Sequence, residues 1–332
     1  MANKKPTIVI LATGGTIAGS AASALETTGY RAGALGIDVL MEAVPQVREY
    51  ADVVGEQICG IDSKDMTGAL WLRLAERVNE LLAKDDVDGI VITHGTDTME
   101  ETAYFLQLTV KSDKPVALTG AMRPATAVSA DGPMNLLDAV RVSASGESFG
   151  KGILVVMNGE IHGAREVRKA DTLSVGAFQS PGGGPLGYVQ DGVPAFLHLS
   201  LRCHTRESEF DISGITELPY VKVLYGHADD DGLFADAAVS AGAKGIVYAG
   251  MGNGSIPAAA EMALEKASSR GVVVVRSTRA GSGAVIASEP SYENAHFLRG
   301  DSLSPQKARI LLQLALLKTT DLTEIQRMFG EY

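Results

Sequence analysis

The chain has 332 residues, 45% of them hydrophobic and 21% charged, with 37 Gly, 12 Pro and 2 Cys. At about 150 residues per domain this length suggests two domains, and the apolar content excludes a disordered, collagen-like or disulfide-stapled chain. A formal net charge of −11 with no basic stripe argues against a nucleic-acid binder, and no apolar run reaches the roughly 18 residues of a membrane helix.

Met1–Pro6 leads at once into Thr7–Ala12. That run is too short for a signal-peptide core and reads as a first strand. The chain as given carries no export signal, so the expected location is cytoplasmic, with a periplasmic one as the alternative for a processed form. Further strand-like runs follow at Gly89–His94, Val116–Thr119, Gly152–Met157, Val221–Tyr225, Gly245–Ala249 and Val272–Arg276. Several are continuously apolar, as parallel strands buried on both faces are. Between them lie helical patterns: Leu70, Leu74, Val78, Leu81 and Leu82 form one stripe opposite Arg73, Glu76, Arg77 and Glu80. Ser304-Pro305 predicts an N-cap followed by proline at the first helical position, opening the helix that carries Ile310–Leu317. Alternation of this kind predicts an α/β fold with a mostly parallel sheet. The loop chemistry of Ser180–Pro185 and the aperiodic stretch after it divide the chain into an N-terminal domain over 1–190, a connector over 191–214 and a C-terminal domain over 215–332.

Ligands of open parallel sheets bind beyond the carboxyl ends of the strands. Four segments sit there: Thr13–Gly19, Gly95–Glu101, Gly120–Arg123 and Gly250–Ser255. The first lacks the Gly-Lys-Ser/Thr ending of a phosphate loop, and the last has the wrong spacing for a dinucleotide fingerprint. The histidines show no metal-binding spacing, Cys59 and Cys203 form no CxxC pair and read as inert buried thiols, and no Gly-x-Ser-x-Gly elbow occurs. What the strand ends offer is hydroxyls: Thr13, Thr16, Thr93, Thr96 and Thr98, beside Asp97. Loop threonines are most often caps or turn formers. As a nucleophile a threonine needs a nearby base and fixed N–H donors for the developing oxyanion, and a Gly-Gly-Thr turn next to helix N-termini permits both.

Thr7-Ile-Val-Ile-Leu-Ala-Thr-Gly-Gly-Thr-Ile-Ala-Gly19 and Val91-Ile-Thr-His-Gly-Thr-Asp-Thr-Met-Glu-Glu101 resemble the two signature motifs of the bacterial-type L-asparaginases and asparaginase–glutaminases. The likeness runs on through Gly120–Pro124, Ser129–Asn135, Ala249–Gly254 and Ser304–Ile310, and Gly55-Glu-Gln57 with a full C-terminal domain resembles the type II subgroup. The resemblance implies a large N-terminal, mostly parallel, flavodoxin-like α/β domain with a smaller C-terminal α/β domain. It implies hydrolysis of L-asparagine to L-aspartate and ammonia through an acyl-threonine ester, with secondary activity on L-glutamine and with no metal or organic cofactor. Thr16 matches the nucleophile and Tyr30 the lid tyrosine; Thr96, Asp97 and Lys169 match a second triad, with Asp97 and Lys169 taken as a buried charge pair.

Substrate binding is implied for Ser63 on the α-carboxylate, Asp97 on the α-ammonium, and Thr96 and Ala121 beside them. Ser255 and Glu289 match positions that reach a neighbouring subunit's site in a homotetramer of intimate dimers, Glu289 within a loop that differs in length from its relatives. Lys64 departs from the family, which has Gln or Glu there, and either turns to solvent, pairs with Asp65 or Glu289, or alters affinity. Two other readings compete: a binding module without catalysis, which the joint presence of Thr16, Tyr30, Thr96, Asp97 and Lys169 opposes, and the asparaginase-like subunit of a tRNA-dependent amidotransferase, which requires an added RNA-facing domain and a basic surface that this acidic sequence does not offer. No nucleic acid and no membrane is expected as a partner.

Overall fold

A computed structural model of the chain describes residues 4–19, 23, 33 and 36–332. It divides into two compact units, Met1–Ser208 and Glu209–Tyr332.

The first unit carries strands β1 (Thr7–Gly14), β2 (Asp52–Ile61), β3 (Gly89–Thr93), β4 (Val116–Thr119), β5 (Ile153–Met157), β6 (Glu160–Gly163), β7 (Arg168–Lys169), β8 (Phe178–Gln179), β9 (Gly187–Gln190) and β10 (Val193–Phe196). Its helices are α1 (Ile37–Ala43), α2 (Val47–Tyr50), α3 (Gly68–Leu82), α4 (Met99–Thr109) and α5 (Gly132–Ala144). Among the described residues one sheet has the order β10-β9-β6-β5-β4-β3-β1-β2, and β7 pairs with β8 separately. β2, β1, β3, β4 and β5 are parallel, whereas β6, β9 and β10 are antiparallel additions. Ile8, Ile10, Val91, Ala117 and Leu154 meet Leu136 and Val140 of α5 in one core. Helix α3 forms where its stripe predicts: Thr67 Oγ1 caps it by accepting from Leu70 N at 3.3 Å, and Leu74, Val78, Leu81 and Leu82 are buried, but Leu70 is only half-buried and Trp71 beside it is buried instead.

The parallel order 2-1-3-4-5 has one functional consequence. From β1 the chain runs to β2 on one side and then to β3 on the other, so the crevice between the ends of β1 and β3 is the switch point where such sheets bind ligands.

The second unit is a parallel sheet, β11 (Val221–Tyr225), β12 (Gly245–Gly250), β13 (Val273–Thr278) and β14 (Leu298–Arg299), with helices α6 (Leu233–Ser240), α7 (Ala258–Ser268), α8 (Pro290–Asn294), α9 (Pro305–Lys318) and α10 (Leu322–Glu331). Ile246, Tyr248 and Val274 pack against Ala260 and Leu264 of α7. Pro305 opens α9 as expected, but Ser304 does not cap it through its hydroxyl. Ala308 N donates to the Ser304 carbonyl at 2.8 Å, while Ser304 Oγ is buried without a hydrogen-bond partner among the described residues. No helix among the described residues is long and apolar enough to cross a membrane.

The stretch expected as a connector over 191–214 contains β10, which pairs with β9 at the edge of the large sheet. The two residues between them, Asp191 (φ 48°) and Gly192 (φ 78°), both adopt left-handed backbone, the requirement of a tight hairpin turn whose twist matches its strands.

Candidate active site

The turn after β1 exists in this form because two glycines allow it. Gly14 (φ 110°) and Gly15 (φ 81°) lie in backbone regions that other residues avoid. A Cβ on Gly14 would fall 2.4 Å from the Ile61 carbonyl oxygen, and one on Gly15 2.3 Å from Gly95 N. The turn is thus pressed between the end of β2 and the loop that leaves β3, and Gly15 N donates to the Ile61 carbonyl at 3.0 Å. Thr16 opens a single 3₁₀ turn directly after it and is buried. Thr13 is tied up structurally, since its Oγ1 donates to the Thr93 carbonyl at 2.9 Å. Both cysteines are half-buried free thiols rather than buried ones; Cys59 Sγ donates to the Thr13 carbonyl at 3.4 Å, and burial pushes its pKa up.

The loop after β3 is equally confined. A Cβ on Gly95 would meet Ser63 Oγ at 2.5 Å, so the loop runs against the short turn Ser63–Asp65. Thr98 Oγ1 donates to the Ser63 carbonyl at 2.8 Å and closes that contact. Lys169, on β7, reaches in with its Nζ, which donates to Thr96 Oγ1 at 2.9 Å and to Asp97 Oδ1 at 2.5 Å. Its own backbone N donates to Glu100 Oε2 at 2.6 Å, fixing where β7 passes the N-terminus of α4. The Asp97 side chain is 57% exposed and that of Lys169 17%, so the pair is open to water on the carboxylate side rather than buried as the sequence suggested.

His94, the first residue past β3, was passed over in the sequence because a lone histidine in an apolar run gives no signal of its own. It is fully buried between the Gly95 carbonyl (Nδ1, 2.7 Å) and Thr102 Oγ1 (Nε2, 2.9 Å). Desolvation pulls its pKa down from 6.5 to about 4. Because the folded value lies below the unfolded one, unfolding takes up a proton between pH 4 and 6.5. The stability His94 contributes is therefore complete above about pH 6.5 and falls away as the pH drops toward 4. Going from pH 7 to 4.5 is expected to cost about 2 kcal/mol through this residue. Urea midpoints of the wild type and His94→Asn at the two pH values check it: the wild type should lose more on acidification, and parallel losses would contradict the assignment.

Ala121 is fully buried in the loop after β4, which is pinned by Asp131: its carboxylate accepts from Met122 N and Arg123 N, each at 2.9 Å. The loop borders the same site, because a Cβ on the adjacent Gly120 would lie 3.3 Å from Thr96 Cγ2. Lys64 is exposed, and its Nζ pairs with Asp65 at 2.9 Å, one of the anticipated partners, and with Asp62 at 3.1 Å, which the sequence reading missed. These two carboxylates hold the ammonium charged, pushing its pKa up. Tyr30 lies outside the described residues. Ser255 and Glu289 belong to the second unit. Ser255 closes a tight turn with reciprocal backbone hydrogen bonds to Met251, and Glu289 is the exposed residue preceding α8. The first unit therefore gathers Thr16, Ser63, Thr96, Asp97, Ala121 and Lys169 around the switch point.

Residues 7–200 match the family model "Asparaginase, N-terminal", and residues 220–329 match "Glutaminase/Asparaginase C-terminal domain". The chain belongs to the asparaginase family. It is 52% identical over 327 residues to the L-asparaginase 2 of Bacillus subtilis, covering 98% of this chain and 87% of that protein. It is 46% identical to the glutaminase-asparaginase of Pseudomonas fluorescens biotype A, covering 99% and 91%. The solved structure of a probable cytoplasmic L-asparaginase from Campylobacter jejuni is 50% identical and superposes with a TM-score of 0.96, covering 99% of this chain and all of that one. Family membership agrees with the α/β architecture and with the motif-bearing turns after β1 and β3.

Proposed function

We propose that this protein hydrolyses the side-chain amide of L-asparagine to L-aspartate and ammonia, with secondary action on L-glutamine, through an acyl ester on Thr16. The observation that carries the reading is the Thr96–Lys169–Asp97 cluster, with Nζ 2.9 Å from Thr96 Oγ1 and 2.5 Å from Asp97 Oδ1, standing across the switch point from the Thr16 turn. Full-length similarity to L-asparaginases and glutaminase-asparaginases supports the substrate class.

In this reading Thr16 Oγ attacks the amide carbon, the carbonyl oxygen becomes an oxyanion held by backbone N–H groups near Thr96, and the tetrahedral carbon expels ammonia, which carries off the proton released by Thr16. Water then attacks the ester, giving its proton back to Thr16 as aspartate leaves. The ammonium of Lys169 lowers the cost of negative charge developing at Thr96 Oγ1 or on the attacking water. The Asp97 carboxylate, exposed on one side, has room to accept the substrate α-ammonium while keeping Lys169, and Ser63 takes the α-carboxylate. Tyr30 takes the role of the family's lid tyrosine in this reading. Ammonia release measured with both amides tests the reading, and no release from either would overturn it.

Ser255 and Glu289 act, in this reading, on a neighbouring subunit's site within a homotetramer of intimate dimers. Mild denaturant that separates subunits without unfolding them should then abolish activity. Light scattering alongside the assay decides it, and an active monomer would contradict the shared site.

Lys64 stands where the family has Gln or Glu. If its ammonium came within ~6 Å of the substrate ammonium, repulsion would reach roughly 3 kcal/mol at an effective dielectric near 20. Asp62 and Asp65 hold it and screen most of that. Lys64→Gln leaves both carboxylates in place, so KM is expected to fall several-fold at low ionic strength, with kcat changed less and the gain shrinking at high salt. Michaelis constants at two salt concentrations check this; an unchanged or higher KM would make Lys64 a bystander or a ligand.

A further inference from the structure

Behind the Thr96 loop runs a chain of fully buried hydrogen bonds that the proposed reaction does not use. Trp71 Nε1 donates to Thr102 Oγ1 at 2.8 Å, Thr102 Oγ1 lies 2.9 Å from His94 Nε2, and His94 Nδ1 lies 2.7 Å from the Gly95 carbonyl oxygen. Donor and acceptor chemistry fixes the direction of this chain. An indole N–H can only donate, so the Thr102 oxygen receives it and its own hydrogen is free for His94. A carbonyl oxygen can only accept, so Nδ1 must carry the imidazole proton and Nε2 must be the acceptor. Both ends therefore demand the same neutral tautomer. Trp71 is itself held by stacking on Phe105, with ring centroids 5.4 Å apart and planes 19° from parallel.

The Gly95–Thr96 peptide is planar and trans, so its C=O and N–H point in opposite directions. With the carbonyl drawn down to the buried imidazole, the Thr96 N–H faces away from the core, on the side of the loop opposite His94. No acceptor among the described residues meets that N–H. The loop cannot turn over easily, because Gly95 is confined by Gly15 on one side and by Ser63 on another.

We infer that His94 is a positioning residue: held in a single tautomer by Thr102 and Trp71, it fixes the Gly95–Thr96 peptide plane so that the Thr96 N–H is aimed into the site as an oxyanion donor. This rests on the amide-hydrolysis reading above and adds to it a device that presets the donor before substrate arrives. A preset donor stabilises the transition state without strengthening ground-state binding, which gives the inference its kinetic signature.

Three variants test it. His94→Leu removes the donor to the Gly95 carbonyl and should lower kcat by about 10²-fold, the size expected for a lost oxyanion donor, with KM within about threefold of wild type. His94→Asn places an amide N–H near the position of Nδ1 and should recover kcat to within about tenfold of wild type, which a role in packing alone would not predict. If His94→Leu does not fold, Thr102→Val leaves His94 in place, removes its partner at Nε2 together with the acceptor of Trp71 Nε1, and should still lower kcat several-fold at constant KM. A kcat for His94→Leu, or in its absence for Thr102→Val, within twofold of wild type would overturn the inference. So would a loss shared equally with KM and not recovered by asparagine. Imidazole NMR of ¹⁵N-histidine-labelled wild-type protein is independent of activity. A proton on Nδ1 of His94 is expected, and one on Nε2 overturns the inference even if the enzyme is active. Absence of ammonia release by the wild type would instead overturn the functional reading alone.

Discussion

Thr16→Val is expected to lower turnover about 10⁴-fold while the protein still folds, because a nucleophile acting within a catalytic unit is worth at least that much. Valine keeps the β-branched shape that fits the buried 3₁₀ turn after Gly15, and only the hydroxyl is lost. The stability cost is that of the lost hydrogen bonding, about 1 kcal/mol. Circular dichroism and thermal melting should therefore overlay closely on those of the wild type, while ammonia release from asparagine nearly vanishes. A purified variant that kept more than about a tenth of wild-type turnover would remove Thr16 as the obligatory nucleophile.

Asp97→Asn should damage both constants. The carboxylate accepts from Lys169 Nζ at 2.5 Å, and in the proposed reaction it also receives the substrate ammonium. Losing a charge-assisted hydrogen bond to the ammonium costs about 1.5–3 kcal/mol, or roughly a 10- to 100-fold rise in KM. Releasing Lys169 from its place beside Thr96 removes part of an acid–base contribution that is worth about 10²–10⁴-fold in kcat. The effect on stability is expected to be small. From sequence alone the pair reads as buried, which predicts a loss of about 3–5 kcal/mol on removing one partner. With the Asp97 side chain 57% exposed, water solvates what remains, and the cost falls to that of a surface pair, about 1 kcal/mol or less. Kinetics and melting of the one variant separate the two: normal kinetics would take Asp97 out of the site, and a collapse in melting temperature would restore the buried-pair picture.

What the sequence made legible follows from where burial is symmetric. β1, β3, β4 and β5 are covered on both faces, so they read as unbroken apolar runs, and α3 declares itself by its apolar stripe. β2 escaped because it is an edge strand with only β1 beside it. Its side chains alternate irregularly between burial and exposure, and it carries Gly55, Glu56 and Gln57 mid-strand. β9 and β10 escaped for a different reason, as short, half-buried strands whose Asp191-Gly192 turn was read as part of a linker. Within the site, Thr96 and Asp97 stand out as polar residues at a strand end, but their roles and the place of Lys169 come from motif likeness, since no spacing rule links positions 97 and 169. The supports were not found at all. Glu100 holds the Lys169 backbone and His94 holds the Gly95 carbonyl, and both depend on contacts made only once α4 and β7 pack around the end of β3.

The central claim is that an acyl group passes through Thr16 at the β1–β3 switch point. It is tested most directly by peptide mass spectrometry of enzyme acid-quenched during turnover of L-asparagine, with a parallel reaction in which hydroxylamine competes with water for the acyl group. The expected result is an aspartyl ester on the peptide containing Thr16, with aspartyl hydroxamate formed in the parallel reaction. An ester on Thr96 instead, or neither ester nor hydroxamate while ammonia is released, would contradict it.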